Sequence, residues 1–255
     1  MPKIDKSTVD DILWSIPEQK TGTLQVIGGN LHSFATEIRL VEYLNTLPIK
    51  TIRLALPDAL KKQLPPTPEI SFYKSTPSGS FDKSPELNAV ADSADLILLS
   101  GDVSKNSATT IALAEVLKNT EKPLVITRDA VDCLTPEIST LLDAKDRIYF
   151  ATMAQLQKLL RSALYPKMLL LSMPLPPVLE TLHKFTLSYP ATIITFHSGQ
   201  IIFASGGKTH TLPLEKTTYS PLSLWSGTLA AKIAALNLWT PGKPLEASLA
   251  AFSYK

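Results

Sequence analysis

The chain has 255 residues, 44% of them hydrophobic, a formal net charge of +2 and one cysteine, Cys133. That content can bury one large core or two small ones, and the thinly spread charge forms no basic tract suited to nucleic acid. A lone cysteine excludes an internal disulfide, no apolar run reaches the roughly 18 residues that span a bilayer, and MPKIDKSTVDDILW lacks an apolar signal core, so a cytoplasmic protein without membrane partners is expected.

In chain order, TLQVI (23–27) has the β-branched character of a strand and precedes a helical pattern from Phe34 to Leu44. TIRLA (51–55) is followed by LPDALKKQL, read as helical, and by loops LPPTPE (64–69) and STPSGS (75–80). DLILLS (95–100) leads into SATTIALAEVLKN, whose Ile111, Leu113, Val116 and Leu117 are read as one apolar stripe. PLVIT (123–127), RIYFA (147–151) and TIITF (192–196) continue the alternation. Apolar strands separated by amphipathic helices predict a mainly parallel sheet covered on both faces. The stretch 200–212 differs: Ser-Gly and Gly-Gly turns predict an antiparallel hairpin, with an exposed Gly206–Gly207 turn and an unbound Lys208. SGTLAAKIAALNLW and PLEASLAAFSY are helical patterns. The expectation is one α/β domain over residues 1–255, with 23–27, 51–55, 96–100, 123–127 and 192–196 in a single sheet.

Ligands of open α/β sheets sit outside the carboxyl ends of the strands, which directs attention to four segments. In VIGGN (26–30), Gly28 and Gly29 fit either a tight turn or close approach of backbone to a ligand. SGDVSKNS (100–107) leaves a strand through Gly101 and Asp102, with Asn106 or Ser107 as helix N-cap; ligand contact and simple capping both account for it. In TRDAVD (127–132), Asp129 either orients a ligand hydroxyl or caps the next turn. The fourth is the serine-rich loop before Gly227, where a helix N-terminus offers free N–H groups to a phosphate. No acidic residue lies between Glu215 and Glu246. SGGKTHT (205–211) ends like a phosphate-binding loop but has Ile202 where glycine is needed and strand-like sequence after Lys208. The four histidines, His32, His183, His197 and His210, are scattered without metal-ligand spacing, and His32 alone lies in a candidate loop. No G-x-S-x-G elbow occurs, and Cys133 sits in an apolar turn. Trp14, Trp225 and Trp239 are expected to pack, with ligand cover as the alternative for Trp225.

Three segments together resemble the ribokinase-like fold, and within it the ADP- or ATP-dependent NAD(P)H-hydrate dehydratases. GTLQVIGGN is similar to that family's GKVLVIGGS, KPLVITRDAVDCL to KPLVLDADALNLL, and LWSGTLAAKIAAL to GSGDVLAGIIAAL, in the same order and spacing. The resemblance implies a three-layer sandwich with ATP or ADP as cofactor, magnesium as an optional companion, a hydrated NADH- or NADPH-derived substrate, and a homo-oligomer. It assigns Ser226, Gly227, Thr228, Gly101, Asn106 and Thr127 to the nucleotide or anion, and Gly28, Gly29, Asn30, His32 and Asp129 to the substrate.

The departures fall where the chemistry should be. Gly227 occupies the position of the family's general-base aspartate, Leu224 and Ser226 replace two loop glycines, and Thr127 replaces an aspartate. FATMAQ (150–155) lacks the histidine and glutamate of T-P-H-x-x-E, SGDVS is a reduced GPGLG loop, and the sequence ends soon after Phe252, where the family has a further helix. Loss of a positioned base removes about 10²–10⁴ in rate. Three readings follow: a divergent dehydratase or small-molecule kinase with Asp102 or Asp129 as substitute base; a non-catalytic nucleotide-binding relative; and a structural or oligomer-forming remnant. A helix is predicted to begin at Ser226–Thr228, facing a crevice formed by Gly28–Asn30, Gly101–Asn106 and Thr127–Asp129.

Overall fold

The computed structural model describes residues 6–253. Among them, β1 (Thr21–Gly28), β2 (Ile49–Pro57), β3 (Ile70–Tyr73), β4 (Leu96–Gly101), β5 (Leu124–Thr127), β6 (Arg147–Phe150), β7 (Ala191–His197), β8 (Gln200–Ser205) and β9 (Lys208–Pro213) form one sheet. Its spatial order is 3-2-1-4-5-6-7-8-9. Neighbours from β3 to β7 run parallel, and β7, β8 and β9 run antiparallel.

Helices α1 (Lys6–Trp14), α2 (Ala35–Asn45), α9 (Thr228–Trp239) and α10 (Pro244–Ala250) cover one face. The other carries α3 (Pro85–Asn88), α4 (Ser107–Lys118), α5 (Asp129–Leu134), α6 (Ile138–Leu141), α7 (Met153–Ser162) and α8 (Leu175–Ser188). Side chains alternate across a strand, so β4 sends Leu96 and Leu98 to the first core and Ile97 and Leu99 to the second. Both faces are therefore apolar, and the central strands are continuous hydrophobic runs. The result is the three-layer α/β sandwich that the alternation predicts, with the antiparallel hairpin at its edge.

α9 is hydrophobic nearly all round because it is buried nearly all round. Its Ala230, Ala231, Ala234 and Ala235 let it lie close on β1, β4 and β5, while it also touches α2 and α10. Prolines near α8 start that helix rather than break it: Pro174 precedes it and Pro176 sits in its first turn, where a missing N–H costs nothing.

Several expectations need correction. Segment 56–64 is not a helix: Leu56 and Pro57 end β2, and a 3₁₀ turn at Asp58–Leu60 follows before Pro65 and Pro66. Ile111 leaves the apolar stripe of α4 and is 53% exposed; two residues from Leu113, it points to the far side of the helix. Trp14 does not pack and is 87% exposed. The Gly206–Gly207 turn joins β8 to β9, since Ser205 pairs with Lys208. Gly206 and Lys208 are exposed, but Gly207 is half-buried, its N–H donating to Thr186 Oγ1 (3.1 Å) and its carbonyl meeting His183 Nδ1 on α8. Among the described residues, no helix is long and apolar enough to cross a membrane.

Candidate functional site

The chain order reverses between β1 and β4: β1 leads outward to β2 and β3, and β4 returns to β1's other side. Ligands of open α/β sheets bind outside the carboxyl ends of strands at such a point. There the backbones of β1 and β4 nearly touch. A Cβ on Gly28 would lie 2.4 Å from Ser100 Oγ and 2.7 Å from Gly101 O, distances that real side chains do not tolerate. Gly29 N–H donates to Gly101 O (3.0 Å). Gly29 also sits at φ +80°, where a side chain is strained, so close packing and backbone conformation account for the two glycines of VIGGN.

The next strand end carries an unusual residue. Arg128, between β5 and α5, has φ +58° and ψ −141°, a region that is essentially glycine territory and costs on the order of 1–3 kcal/mol. Such strain persists only where the surroundings over-determine it, and here they do. The Arg128 guanidinium donates to both oxygens of Asp102 (Nη2 to Oδ1 2.8 Å, Nη1 to Oδ2 3.1 Å). The Asp102 N–H donates to Asp129 Oδ1 (2.6 Å), and Gln155 Nε2 donates to the Arg128 carbonyl (2.6 Å). Gln155 is itself fixed by a capping box with Thr152 at the start of α7. Burial pushes the Asp129 carboxyl up, against the lowering effect of the Asp102 N–H.

Behind this bridge lies Glu37 in the first turn of α2, completely buried. Its Oε1 is 3.0 Å from Ser100 Oγ and 3.6 Å from Arg128 Nη1, and its Oε2 has no partner. Burial, reinforced by the negative charge of Asp102, raises its pKa from 4.5 to about 8. The single Ser100 hydroxyl hydrogen faces two acceptors, Glu37 Oε1 and Ile27 O (3.2 Å). A protonated Glu37 supplies the second hydrogen this arrangement lacks.

In front of Arg128 opens a cleft of about 290 Å³, lined by Thr36, Arg39, Leu40, Arg128, Trp225, Ser226 and Thr228. Its wall is the N-terminus of α9. Gly227 is the N-cap, at φ +93°, and no side chain caps the helix. Ala231 N–H bonds back to Gly227 O (2.9 Å), so the N–H groups of Thr228, Leu229 and Ala230 have no partner within the helix. Trp225 stacks on Phe150 with ring centroids 4.9 Å apart. Arg39 donates to Thr36 Oγ1 (3.4 Å), and no carboxylate pairs with it among the described residues. Two guanidinium groups and the positive end of a 12-residue helix thus face one small cleft without a carboxylate in its lining, an arrangement that attracts anions.

α9 begins as predicted, but of the three loops expected beside it only Thr127–Asp129 lines the cleft, through Arg128. Gly28, Gly29 and Gly101 are buried in the β1–β4 junction. Asn30 lies outside the lining, its Nδ2 on Asp102 O (2.5 Å) and its Oδ1 accepting from His32 N–H (2.8 Å); His32 is exposed. Asn106 is the N-cap of α4, its Oδ1 accepting from Thr109 N–H (2.8 Å). The buried Thr127 Oγ1 has no partner. Asp102 and Asp129, the candidate substitute bases, are engaged by Arg128 and by the Asp102 N–H respectively. Sequence reasoning missed Glu37, Arg39 and Gln155. A signal for Glu37 existed: it falls on the same helical face as Leu40 and Leu44, a core position where a carboxylate is rare.

Solved structures place this architecture. The chain has the ribokinase-like fold. Over 97% of its length it superposes on 83% of a ribokinase-like superfamily protein from Enterococcus faecalis, with a TM-score of 0.66 and 16% identity. An ADP/ATP-dependent NAD(P)H-hydrate dehydratase from Bacillus subtilis, crystallised with ATP and Mg²⁺, matches at TM-score 0.56 and 14% identity, over 95% of this chain and 84% of that one. The ADP complex of a Bacillus subtilis pyridoxal kinase matches at TM-score 0.56 and 13% identity, over 93% and 90%. No protein-family model and no curated protein sequence matches the chain.

Proposed function

We propose that this protein binds a nucleotide, ATP or ADP, through its phosphates at the start of α9, and that it retains little or none of the dehydration chemistry of NAD(P)H-hydrate dehydratases. The observation that supports this reading most is the composition of the cleft. An uncapped helix N-terminus and two arginines converge there, while Gly227 supplies no carboxylate where the family's base would stand. Thr228, Leu229 and Ala230 would offer backbone N–H groups to phosphate oxygens, with Arg39 and Arg128 balancing the charge. When bound, a nucleotide supplies the phosphoryl group that makes a hydroxyl leave. The chain's own part in that step would be to take a proton, and the cleft lining has no group for it.

The residues fit a phosphate better than a protein-held magnesium. Among the described residues no cluster of three or more His, Cys, Asp or Glu side chains is placed to ligate a metal. A nucleotide complexed with Mg²⁺ in the structure of the Bacillus subtilis dehydratase, and ADP in that of the pyridoxal kinase, support nucleotide as the ligand class.

The test has two parts. Thermal stability is measured with ATP, ADP and NADH; a ligand at 100 times its Kd adds about 2.7 kcal/mol. Hydrated NADH is then assayed with ATP and with ADP. Stabilisation by a nucleotide with no turnover is the expected result. Family-like turnover would refute the loss of catalysis, and indifference to every nucleotide would refute the binding role.

A further inference from the structure

Glu37 is a fully buried carboxyl with one oxygen unpartnered, 3.6 Å from the Arg128 guanidinium that lines the cleft. Its helix neighbours Thr36 and Leu40 line the same cleft. It therefore lies directly behind the wall where an anion would sit, without reaching the cavity itself. Arg128 already shares its charge with Asp102, and its Nη1 faces both carboxyls, 3.1 Å from Asp102 Oδ2 and 3.6 Å from Glu37 Oε1.

The loop after β4 brings Asp102, with Asp129 behind it accepting its N–H. The loop after β5 brings Arg128. Of the elements packed on α2, β1 presents no ionisable side chain. β2 carries Lys50, which is exposed, and Arg53, which bonds to Ser93. α9 carries Lys232, which bonds to the Tyr219 hydroxyl (3.3 Å). On α2 itself, Arg39 is exposed and faces the cleft, and Glu42 lies more than a turn further on. Asp102 and Arg128 are the charges that act on Glu37.

We infer that Glu37 is a proton-operated gate on the anion cleft: protonated, it leaves Arg128 to serve an anion, and ionised, it draws in the Arg128 charge and repels the anion. The inference rests on the anion-binding reading of the cleft and adds its regulation. The only bond that changes is the Glu37 O–H: as pH rises its proton passes to solvent and the electron pair stays on the carboxylate, and anion affinity falls with it. With the Glu37 pKa near 8, the change falls between neutral and mildly alkaline pH. Linkage sets the size: an anion close enough to raise the carboxyl pKa by about one pH unit is bound about tenfold more weakly once the carboxyl is ionised.

The experiment uses sulfate, whose charge is constant from pH 6.5 to 9.5, and the full chain. Calorimetric affinity for sulfate should fall about tenfold across that range in the wild type. In Glu37→Gln, an uncharged variant of the same shape, it should be flat and close to the wild-type value at low pH. A flat wild-type profile, or the same fall in Glu37→Gln, would overturn the gate while leaving the cleft as an anion site. No sulfate binding at any pH would overturn both. Should the variant fold poorly, ¹³C-glutamate NMR of the wild type decides: the Glu37 titration midpoint should rise by about one pH unit with saturating sulfate, and an unmoved midpoint overturns the gate.

Discussion

Replacing Glu37 with glutamine should change how stability depends on pH, apart from any ligand. In the folded chain the Glu37 carboxyl titrates near pH 8, and its ordinary value is 4.5. Between these values the folded state holds a proton that the unfolded state has released. Stability therefore falls as pH rises through this window, by up to about 1.4 kcal/mol per pH unit, and levels off above pH 8. The whole displacement corresponds to a penalty on the order of 4–5 kcal/mol at alkaline pH relative to acid, a large fraction of the 5–15 kcal/mol typical of a domain. Glutamine carries no charge and escapes it. Urea unfolding of both proteins at pH 5, 6, 7, 8 and 9 measures the difference directly, because every other titrating group is common to the two. The stability of Glu37→Gln minus that of wild type should grow steadily from pH 5 to pH 8 and then stop. Parallel curves would show that Glu37 is ionised in the folded protein at neutral pH, and would refute the description of its site.

Gly28→Ala should cost about 1–3 kcal/mol by urea unfolding, because its Cβ would drive into Ser100 Oγ and the Gly101 carbonyl; a neutral substitution would mean the β1–β4 junction is looser than described. Asn106→Ala removes the side-chain cap of α4 and should lower stability by about 1 kcal/mol, read from the same denaturation curve. Gly227→Asp places an L residue at φ +93° against Leu40, at a cost of about 1–2 kcal/mol. It should not restore turnover of hydrated NADH, because Leu224 is buried in the loop and Trp225 is stacked on Phe150; turnover in that variant would show that the remaining site is intact.

The layered sheet was legible because its signals are local. Six apolar runs with the right turn chemistry between them leave few alternatives to a parallel sheet covered on both faces. β3 was not legible: ISFY is only four residues long, borders on β2 alone and is partly exposed. The start of α9 could be placed because Gly227 separates a serine-rich loop from an alanine-rich helix. The cleft in front of it could not be drawn from sequence, since Arg39 on α2, Arg128 after β5 and Trp225 before α9 come from three distant segments that meet only in the folded sheet. The strain at Arg128 was equally hidden. It exists because Asp102, Asp129 and Gln155 hold that residue in place, and each of the three has an ordinary local explanation when taken alone.

The most direct measurement is the crystal structure of the protein with ADP at saturating concentration. A terminal phosphate within hydrogen-bonding distance of the backbone N–H groups of Thr228 to Ala230, with Arg128 or Arg39 as its side-chain partner, is the predicted result. ADP bound elsewhere on the molecule, with this cleft closed by Trp225 or filled only by solvent, would contradict it.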